Sequence, residues 1–284
     1  MQQTTFARKL CSVLLFLAAI ALLVVCTQYD LQINQTLYQP TFAPAVFMEA
    51  FGWWPLYLPG LIWGGFLLRR NGHPVWGTII SLGSACAMWL PTLSYLQKRN
   101  WLAQLPVWVG AALVTVTFVC AVLFAGIPGR RTTMRLSLLC CSGFFMMALV
   151  NIAANIIKLI WNRSRFDEML AAGTLSEQFT PWYLPFGNGG SSFPSAHTAA
   201  AAGVLLLLLA ADIFPLVKRH RWLSGIFCTL YICSMGVCRV VIGRHFLSDT
   251  IAGALVAWAL YLIARHSTVW KNALAHLKDR LTAL

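Results

Sequence analysis

The chain has 284 residues, of which 59% are hydrophobic and 10% charged, and its mean hydropathy is +0.70. A soluble domain of this size carries roughly 25% charged residues. The shortage of charge therefore indicates a protein surrounded by lipid and argues against a soluble domain. The net charge of +13 would suit a nucleic-acid ligand, but the basic residues stand in short clusters between apolar runs, as membrane loops do. Nucleic-acid binding is not expected.

Eight apolar windows are long enough to cross about 30 Å of hydrocarbon. They cover residues 10–26, 53–68, 75–95, 106–126, 136–160, 197–215, 222–241 and 247–264. The first window lacks a small-x-small cleavage pattern, which favours a retained span over a signal peptide. The second is short unless its crossing starts earlier, near Ala43. The chain is predicted to be an all-α polytopic transmembrane helix bundle of about six to eight spans.

Lysine and arginine residues predict the orientation of this bundle. With a cytoplasmic N-terminus, eight crossings place 14 of the 21 basic residues in cytoplasmic connections, as the positive-inside rule requires. These are Arg8, Lys9, Arg69, Arg70, Arg130, Arg131, Arg135, Lys218, Arg219, Arg221, Arg265, Lys271, Lys278 and Arg280. Five of the remaining seven lie near the outer ends of spans five, seven and eight. Basic groups in that position indicate an anionic ligand.

The first polar cluster ends span five and contains Lys158, Arg163 and Arg165. Three cations near a helix end either extend toward lipid phosphates or hold a ligand, and the cluster alone does not separate these alternatives. The connection that follows, residues 166–193, is long, polar and rich in turn-forming residues. It is either a solvated loop or a rim over a site.

The second cluster covers residues 191–197 and precedes an apolar helix predicted from Thr198 to about Ala211. Ser195 is suited to cap that helix. Free N–H groups and the positive end of the helix dipole favour an anion at such a position. His197, in the first turn, would face that anion.

The third cluster contains Arg239, Gly243, Arg244, His245 and Asp249. His245 and Asp249 are four residues apart, which places them on the same face of a helix. A carboxylate there would accept one ring N–H and make the other ring nitrogen a better nucleophile. Gly243 would let the chain turn close to a ligand.

In this order, the three clusters resemble the motifs of the type 2 phosphatidic acid phosphatase (PAP2) family. The matching elements are Lys158 and Arg165, residues 194–197, and Arg239, His245 and Asp249. Phe166, Ala196 and Cys238 stand where the family usually has Pro, Gly and Ser. The resemblance predicts a PAP2-like catalytic core in residues 136–284. Residues 1–135 are then N-terminal transmembrane helices of unassigned role.

The resemblance implies that His245 is the nucleophile, that Asp249 orients it, and that His197 is the acid and base. The expected substrate-binding residues are Lys158, Arg165, Ser195, Ala196 and Arg239, with Arg165 favoured over Arg163 by its spacing from Lys158. No metal or other cofactor is expected, because fixed cations replace magnesium and neither a carboxylate cluster nor a zinc-type Cys/His spacing is present in the sequence.

We therefore expect an enzyme that removes phosphate from a membrane lipid phosphate or diphosphate through a phosphohistidine. Its expected location is the inner membrane, with the active site facing the periplasm. Candidate substrates are undecaprenyl diphosphate, phosphatidic acid or phosphatidylglycerol phosphate, and the phosphates of lipid A. A lipid phosphotransferase with the same intermediate and a non-catalytic lipid transporter are the alternatives. The only partners expected are this lipid and the membrane, and the sequence does not predict the oligomeric state.

Overall fold

Long apolar helices separated by short connections make up the computed structural model of the protein, which describes residues 2–283 and their side chains from residue 13 onward. The side chains of Arg8 and Lys9 therefore lie outside the described residues. Every regular element of the described chain is helical. The helices are α1 (Gln2–Leu37), α2 (Ala43–Phe51), α3 (Leu58–Arg69), α4 (Pro74–Lys98), α5 (Val107–Phe124), α6 (Arg130–Trp161), α7 (Phe166–Ala172), α8 (Leu175–Gln178), α9 (Ala196–Ala201), α10 (Leu206–Ile213), α11 (Pro215–Arg219), α12 (Arg221–Val241), α13 (Leu247–His266) and α14 (Thr268–Thr282).

Seven helical segments of the described chain are long and apolar enough to cross a membrane, which confirms the predicted all-α polytopic bundle. They are formed by α1, α4, α5, α6, the α9–α10 segment, α12 and α13. We call the end of the bundle at which α1, α6 and α12 finish the site end. The backbone N–H of Gln39, after α1, donates to the carbonyl of Val241 there at 2.7 Å.

The window predicted at residues 53–68 forms a broken crossing. Helix α3 has only 12 residues, roughly 18 Å at 1.5 Å per residue, and is too short to span alone. Glu49 of α2 binds Arg239 at the site end, whereas Arg70, just after α3, donates to carbonyl oxygens of the α5–α6 turn at the opposite end. Helices α2 and α3, with a 3-10 turn between them, therefore connect the two ends of the bundle.

A second broken crossing lies against the first. The helix predicted from Thr198 to about Ala211 is instead α9, a 3-10 turn at Ala202–Leu205, and α10. Gly203 explains the contact, because a Cβ at this position would lie 2.7 Å from the Cα of Leu56 in the other 3-10 turn. The two irregular segments thus pack backbone to backbone in the interior.

Two groups of helices make up the bundle. In the first group, α6, α12 and α13 surround the short α9, and α10 contacts α6 and α12. Helices α3, α4 and α5 form the second group, which is joined to the first through α3 and α6. Helix α1 packs on α13, and α2 packs on α12. Both N-terminal helices therefore reach the helices that carry the third polar cluster.

The close packing of α3 on α4 gives a test of the second group. A Cβ on Gly77 would lie 2.5 Å from the backbone N of Leu68, whereas a Cβ on Gly83 of the same helix meets nothing within 4 Å. We expect Gly77→Val to separate the helices at a cost of about 1–3 kcal/mol and to lower Tm in detergent. Gly83→Val is the matched control, and equal Tm values for the two variants would contradict this packing.

Candidate active site

The three polar clusters meet at the site end of the bundle. Lys158, in the last turn of α6, donates to the carbonyl oxygen of Ser191, and Arg165, just before α7, donates to the Ser191 hydroxyl. The next residue, Ser192, contacts the ring of His245 through its carbonyl oxygen. The loop before α9 therefore lies between the end of α6 and the turn that joins α12 to α13.

His245 lies in this α12–α13 turn and is 2% exposed. Gly243 makes the turn possible, because its φ is +74° and a Cβ there would lie 2.6 Å from the Tyr38 ring. The expectation that His245 and Asp249 share a helix face is wrong. His245 precedes α13, and Asp249 is in the first turn of that helix, where its Oδ2 accepts the Phe246 N–H at 2.9 Å.

The partner of the His245 ring fixes its tautomer. Nδ1 lies 2.7 Å from the Ser192 carbonyl oxygen and 3.6 Å from Asp249 Oδ2. Because a carbonyl oxygen only accepts hydrogen bonds, Nδ1 carries the proton and Nε2 keeps its lone pair. Burial lowers the pKa of His245 to about 3, so the ring is neutral at neutral pH.

Arg163 neither extends toward lipid phosphates nor holds a ligand, the two roles that the sequence allowed. Its side chain is 1% exposed, and it contacts no open membrane surface. Nη1 binds Asp249 Oδ1 at 2.6 Å, and Nη2 binds Asp30 Oδ2 at 2.9 Å. The guanidinium also lies 4.0 Å from the centroid of the Phe246 ring, a cation–π distance. Arg163 is therefore an internal counter-ion.

His197 lies in the first turn of α9, and Ser195 caps this helix as predicted by accepting the Thr198 N–H at 3.3 Å. The His197 ring packs edge-on against Tyr95 and Trp53, with centroid distances of 5.3 and 6.0 Å. Tyr95 belongs to α4, and Trp53 lies between α2 and α3. They fix the plane of the ring without using its nitrogens.

The remaining cations lie within electrostatic range of His197. Lys158, Arg165 and Arg239 all contribute to the electrostatic potential at its ring. Arg239 is 2% exposed, and its Nη1 binds Glu49 at 2.7 Å. In the described part of the chain, three nitrogens of this group are buried without a hydrogen-bond partner: His197 Nε2, Arg165 Nε and Arg239 Nε. Ala196, which begins α9, completes the set of predicted residues.

Four site-end residues from the N-terminal half were not predicted. Asp30 and Asn34 of α1 contact the segment around His245, and Glu49 of α2 joins Arg239 to Arg99, which follows α4. One signal was available in the sequence. Asp30 and Glu49 are two of only eight acidic residues, and acidic groups near an apolar span are commonly functional.

Two of the departures from the family pattern are located by the structure. Phe166 does not form part of a rim, because it is buried with its ring 5.3 Å from Tyr38 and 6.2 Å from Phe246. The Cys238 thiol is buried and faces the carbonyl oxygen of Pro44 at 4.0 Å. The groups beside Nδ1 of His245 are the Ser192 carbonyl and Asp249, so neither Phe166 nor Cys238 stands in for one of them.

No group of His, Cys, Asp and Glu side chains within the described residues has the arrangement of a metal site. The carboxylates of the site end are each paired with a cation, as Asp30 and Asp249 are with Arg163, and as Glu49 is with Arg99 and Arg239.

Comparison with known proteins relates this site to a family. Residues 139–273 match the model of the PAP2 superfamily. The chain is similar to lipid A 4'-phosphatase of Bacteroides thetaiotaomicron, with 34% identity over 84 residues that cover 28% of this chain and 34% of the relative. It is also similar to lipid A 1-phosphatase of Rhizobium johnstonii, with 32% identity over 124 residues that cover 43% and 45%. The matches thus span less than half of either relative's length, and no solved structure matches the chain.

The depressed pKa of His245 predicts how stability depends on pH. In the unfolded chain a histidine has a pKa near 6.5, so between about pH 6.5 and pH 3 the unfolded state binds a proton that the folded state does not. Stability therefore falls as the pH falls through this window, by about 1 kcal/mol per pH unit.

His245→Asn removes this titration while its amide still donates to the Ser192 carbonyl. We expect the Tm of the unsubstituted protein to drop more steeply than that of H245N between pH 7 and pH 5. Thermal unfolding in detergent at each pH measures the difference. Parallel curves would show that His245 is protonated in the folded state as readily as in the unfolded one.

Proposed function

We propose that the protein is a lipid phosphatase of the PAP2 superfamily, whose model matches residues 139–273 in the C-terminal half of the chain. It hydrolyses the phosphate of a membrane lipid phosphate or diphosphate through a phosphohistidine formed on His245. Asp249 and His197 complete the catalytic group. Lys158, Arg165, Ser195, Ala196 and Arg239 bind the phosphoryl group.

The observation that carries this proposal is the set of unsatisfied nitrogens around His197. Buried polar atoms in proteins are nearly always hydrogen-bonded, yet within the described residues His197 Nε2, Arg165 Nε and Arg239 Nε have no partner. They come from three separate segments of the chain. A phosphoryl group carries several acceptor oxygens and can therefore accept hydrogen bonds from more than one of these nitrogens.

The first half-reaction uses the neutral ring of His245. Its Nε2 lone pair attacks phosphorus, an N–P bond forms, and the bond to the leaving oxygen breaks. The proton on Nδ1 remains with the Ser192 carbonyl, 2.7 Å away, and the ring becomes positively charged. Asp249, 3.6 Å from Nδ1, stabilises that charge. His197 gives its proton to the leaving oxygen.

The second half-reaction returns the enzyme to its starting state. His197, now neutral, takes a proton from a water molecule, and the water oxygen attacks phosphorus. The N–P bond breaks, inorganic phosphate leaves, and the His245 ring is neutral again. In both steps Lys158, Arg165 and Arg239 stabilise the negative charge on the equatorial oxygens. Ser195 and the backbone at Ala196 add donors, and no metal ion takes part.

Lipid A is the substrate that we place first, because both curated relatives are named as lipid A phosphatases. Undecaprenyl diphosphate and phosphatidic acid or phosphatidylglycerol phosphate remain the other candidates. We place the protein in the inner membrane with its site facing the periplasm. Basic residues at the opposite end of the bundle, among them Arg70 and Arg221, support a cytoplasmic position for that end.

The central test is the loss of activity when either histidine is replaced. Purified His245→Ala should lose phosphate release from lipid A and the other candidate lipids by roughly 10⁴-fold or more, because the nucleophile is gone. His197→Ala should lose about 10²–10⁴-fold. Asp212→Asn, at an ion pair with Arg221 and Arg265 at the opposite end, is the control and should remain active.

Two further arms complete this assay. Addition of a chelator should leave turnover unchanged, and a loss would contradict a metal-free site. Radiolabelled lipid phosphate, with and without an acceptor lipid, separates hydrolysis from phosphotransfer: label released as inorganic phosphate in both samples supports the phosphatase. Full activity in both histidine variants would exclude the phosphohistidine mechanism. Binding of labelled lipid without any phosphate release by the unsubstituted protein would favour a transporter.

Glu49 allows a separate test of the anion site. It is 2% exposed and holds Arg239 and Arg99 at 2.7 Å each. Removing one partner of a buried ion pair typically costs about 3–5 kcal/mol, so Glu49→Gln should lower Tm. Inorganic phosphate should then raise the Tm of E49Q more than that of the unsubstituted protein, because it supplies the anion that Arg239 lacks. Exposed Glu177→Gln is the control, and equal phosphate effects would place Arg239 outside the anion site.

A further inference from the structure

Helix α1 buries one narrow stripe, and the stripe ends in two polar side chains. From residue 13 onward its buried positions are Leu23, Cys26, Asp30 and Asn34, spaced by three or four residues. The rest of the helix surface is largely exposed to lipid. An apolar stripe would have been enough to pack α1 on α13, so the polar end of the stripe needs another explanation.

Asp30 and Asn34 bind the segment that carries the nucleophile. Asn34 Nδ2 donates to the backbone carbonyl of His245 at 3.0 Å. Asp30 accepts the backbone N–H of Ser248 at 3.1 Å and also the Ser248 hydroxyl. Asp30 and Asn34 are 1% and 0% exposed, respectively. The turn that presents His245 is therefore held from the first helix as well as from α12 and α13.

Arg163 joins Asp30 to Asp249. Its two terminal nitrogens bind one carboxylate each, at 2.9 Å to Asp30 and 2.6 Å to Asp249. All three side chains are no more than 1% exposed. Solvent screens such a group weakly, so its net charge acts on its neighbours over several ångströms.

The net charge of Asp30, Arg163 and Asp249 sets the electrostatic potential at the His245 ring. Two carboxylates and one guanidinium carry a net charge of −1. With Asp30 neutral, Arg163 would cancel Asp249, and the group beside the ring would carry no net charge. The His245 ring changes from neutral to cationic when the N–P bond forms and the bond to the leaving oxygen breaks. A net negative charge stabilises that change, and a neutral group does not.

We propose that Asp30 is a positioning residue for the nucleophile of the phosphatase reaction. Asp30 neutralises the positive charge of Arg163. The negative charge of Asp249 then remains to stabilise the cationic phosphohistidine. Together with Asn34, Asp30 also holds the turn that carries His245. This inference rests on the proposed function. It adds residues of α1 to the active site, outside the segment that matches the family model.

The test is a double-mutant cycle on Asp30 and Arg163. The variants are Asp30→Asn, Arg163→Gln and the combination D30N/R163Q, with Asp212→Asn as the control for loss of an Asp paired with arginine at the opposite end. The measured quantities are the single-turnover rate constant for phosphohistidine formation from labelled lipid phosphate and the lipid concentration that gives half of the maximal rate.

D30N should lower the rate constant at least about tenfold while the half-saturating lipid concentration changes less than about threefold, since Asp30 does not contact the phosphoryl group. D30N/R163Q should react at least about threefold faster than D30N, because removing the guanidinium restores the net charge of −1. R163Q alone should be slow for a structural reason: Asp30 and Asp249 are left as two buried like charges, and their repulsion displaces the turn that carries His245. A purely structural role predicts the opposite order, with the double variant slowest.

A double variant that reacts no faster than D30N would overturn the proposal, as would a D30N rate equal to that of D212N. If D30N does not fold, D30N/R163Q is compared directly with the unsubstituted protein. A rate within about tenfold of the latter supports the proposal, and a larger loss overturns it. His245→Ala in the same assay separates the two levels: a phosphoenzyme that still forms in H245A refutes the proposed function itself, whatever Asp30 does.

Discussion

A charge removed from water at the site end must have a partner, and this requirement sets how the helices of the bundle meet. Asp30, Glu49, Arg163, Arg239 and Asp249 are each 3% exposed or less. An unpaired charge at such depth would cost several kcal/mol. Each of them is paired, and the partners stand on α1, α2, α12, α13 and the segment after α6. The ion pairs therefore join helices that no short connection would bring together.

The same pairing separates the two kinds of cation in the site. Arg163 has both terminal nitrogens occupied by carboxylates and has no donor left for a ligand in that direction. Arg239 uses one nitrogen for Glu49, and its buried Nε is free of partners among the described residues. Arg163, held between two carboxylates, affects the electrostatic potential around His245. Arg239, paired with one carboxylate, still has a donor for an anion.

Local sequence patterns were sufficient to predict the helical membrane fold. The eight predicted site residues lie at the site end, because each motif is contained in a short stretch of chain, and their catalytic and binding roles stay predictions. Ser195 caps α9 for the same reason. The shared helix face of His245 and Asp249 was wrong because Gly243 turns the chain before α13 begins. The pairs Asp30–Arg163 and Glu49–Arg239 are separated by 133 and 190 residues, and no local spacing indicates which distant acid meets which cation.

Two of the three departures from the family motifs contact the N-terminal half. Phe166, in place of the usual Pro, packs its ring against Tyr38 just after α1. Cys238, in place of the usual Ser, faces the carbonyl of Pro44 in α2. Gly243 could not carry a Cβ without contact with that same Tyr38 ring. The division of the chain at residue 135 stays a prediction, but Phe166 and Cys238 both lie where the chain from Tyr38 to α2 covers the C-terminal half. The second and third polar clusters are therefore not packed independently of the N-terminal helices in this chain.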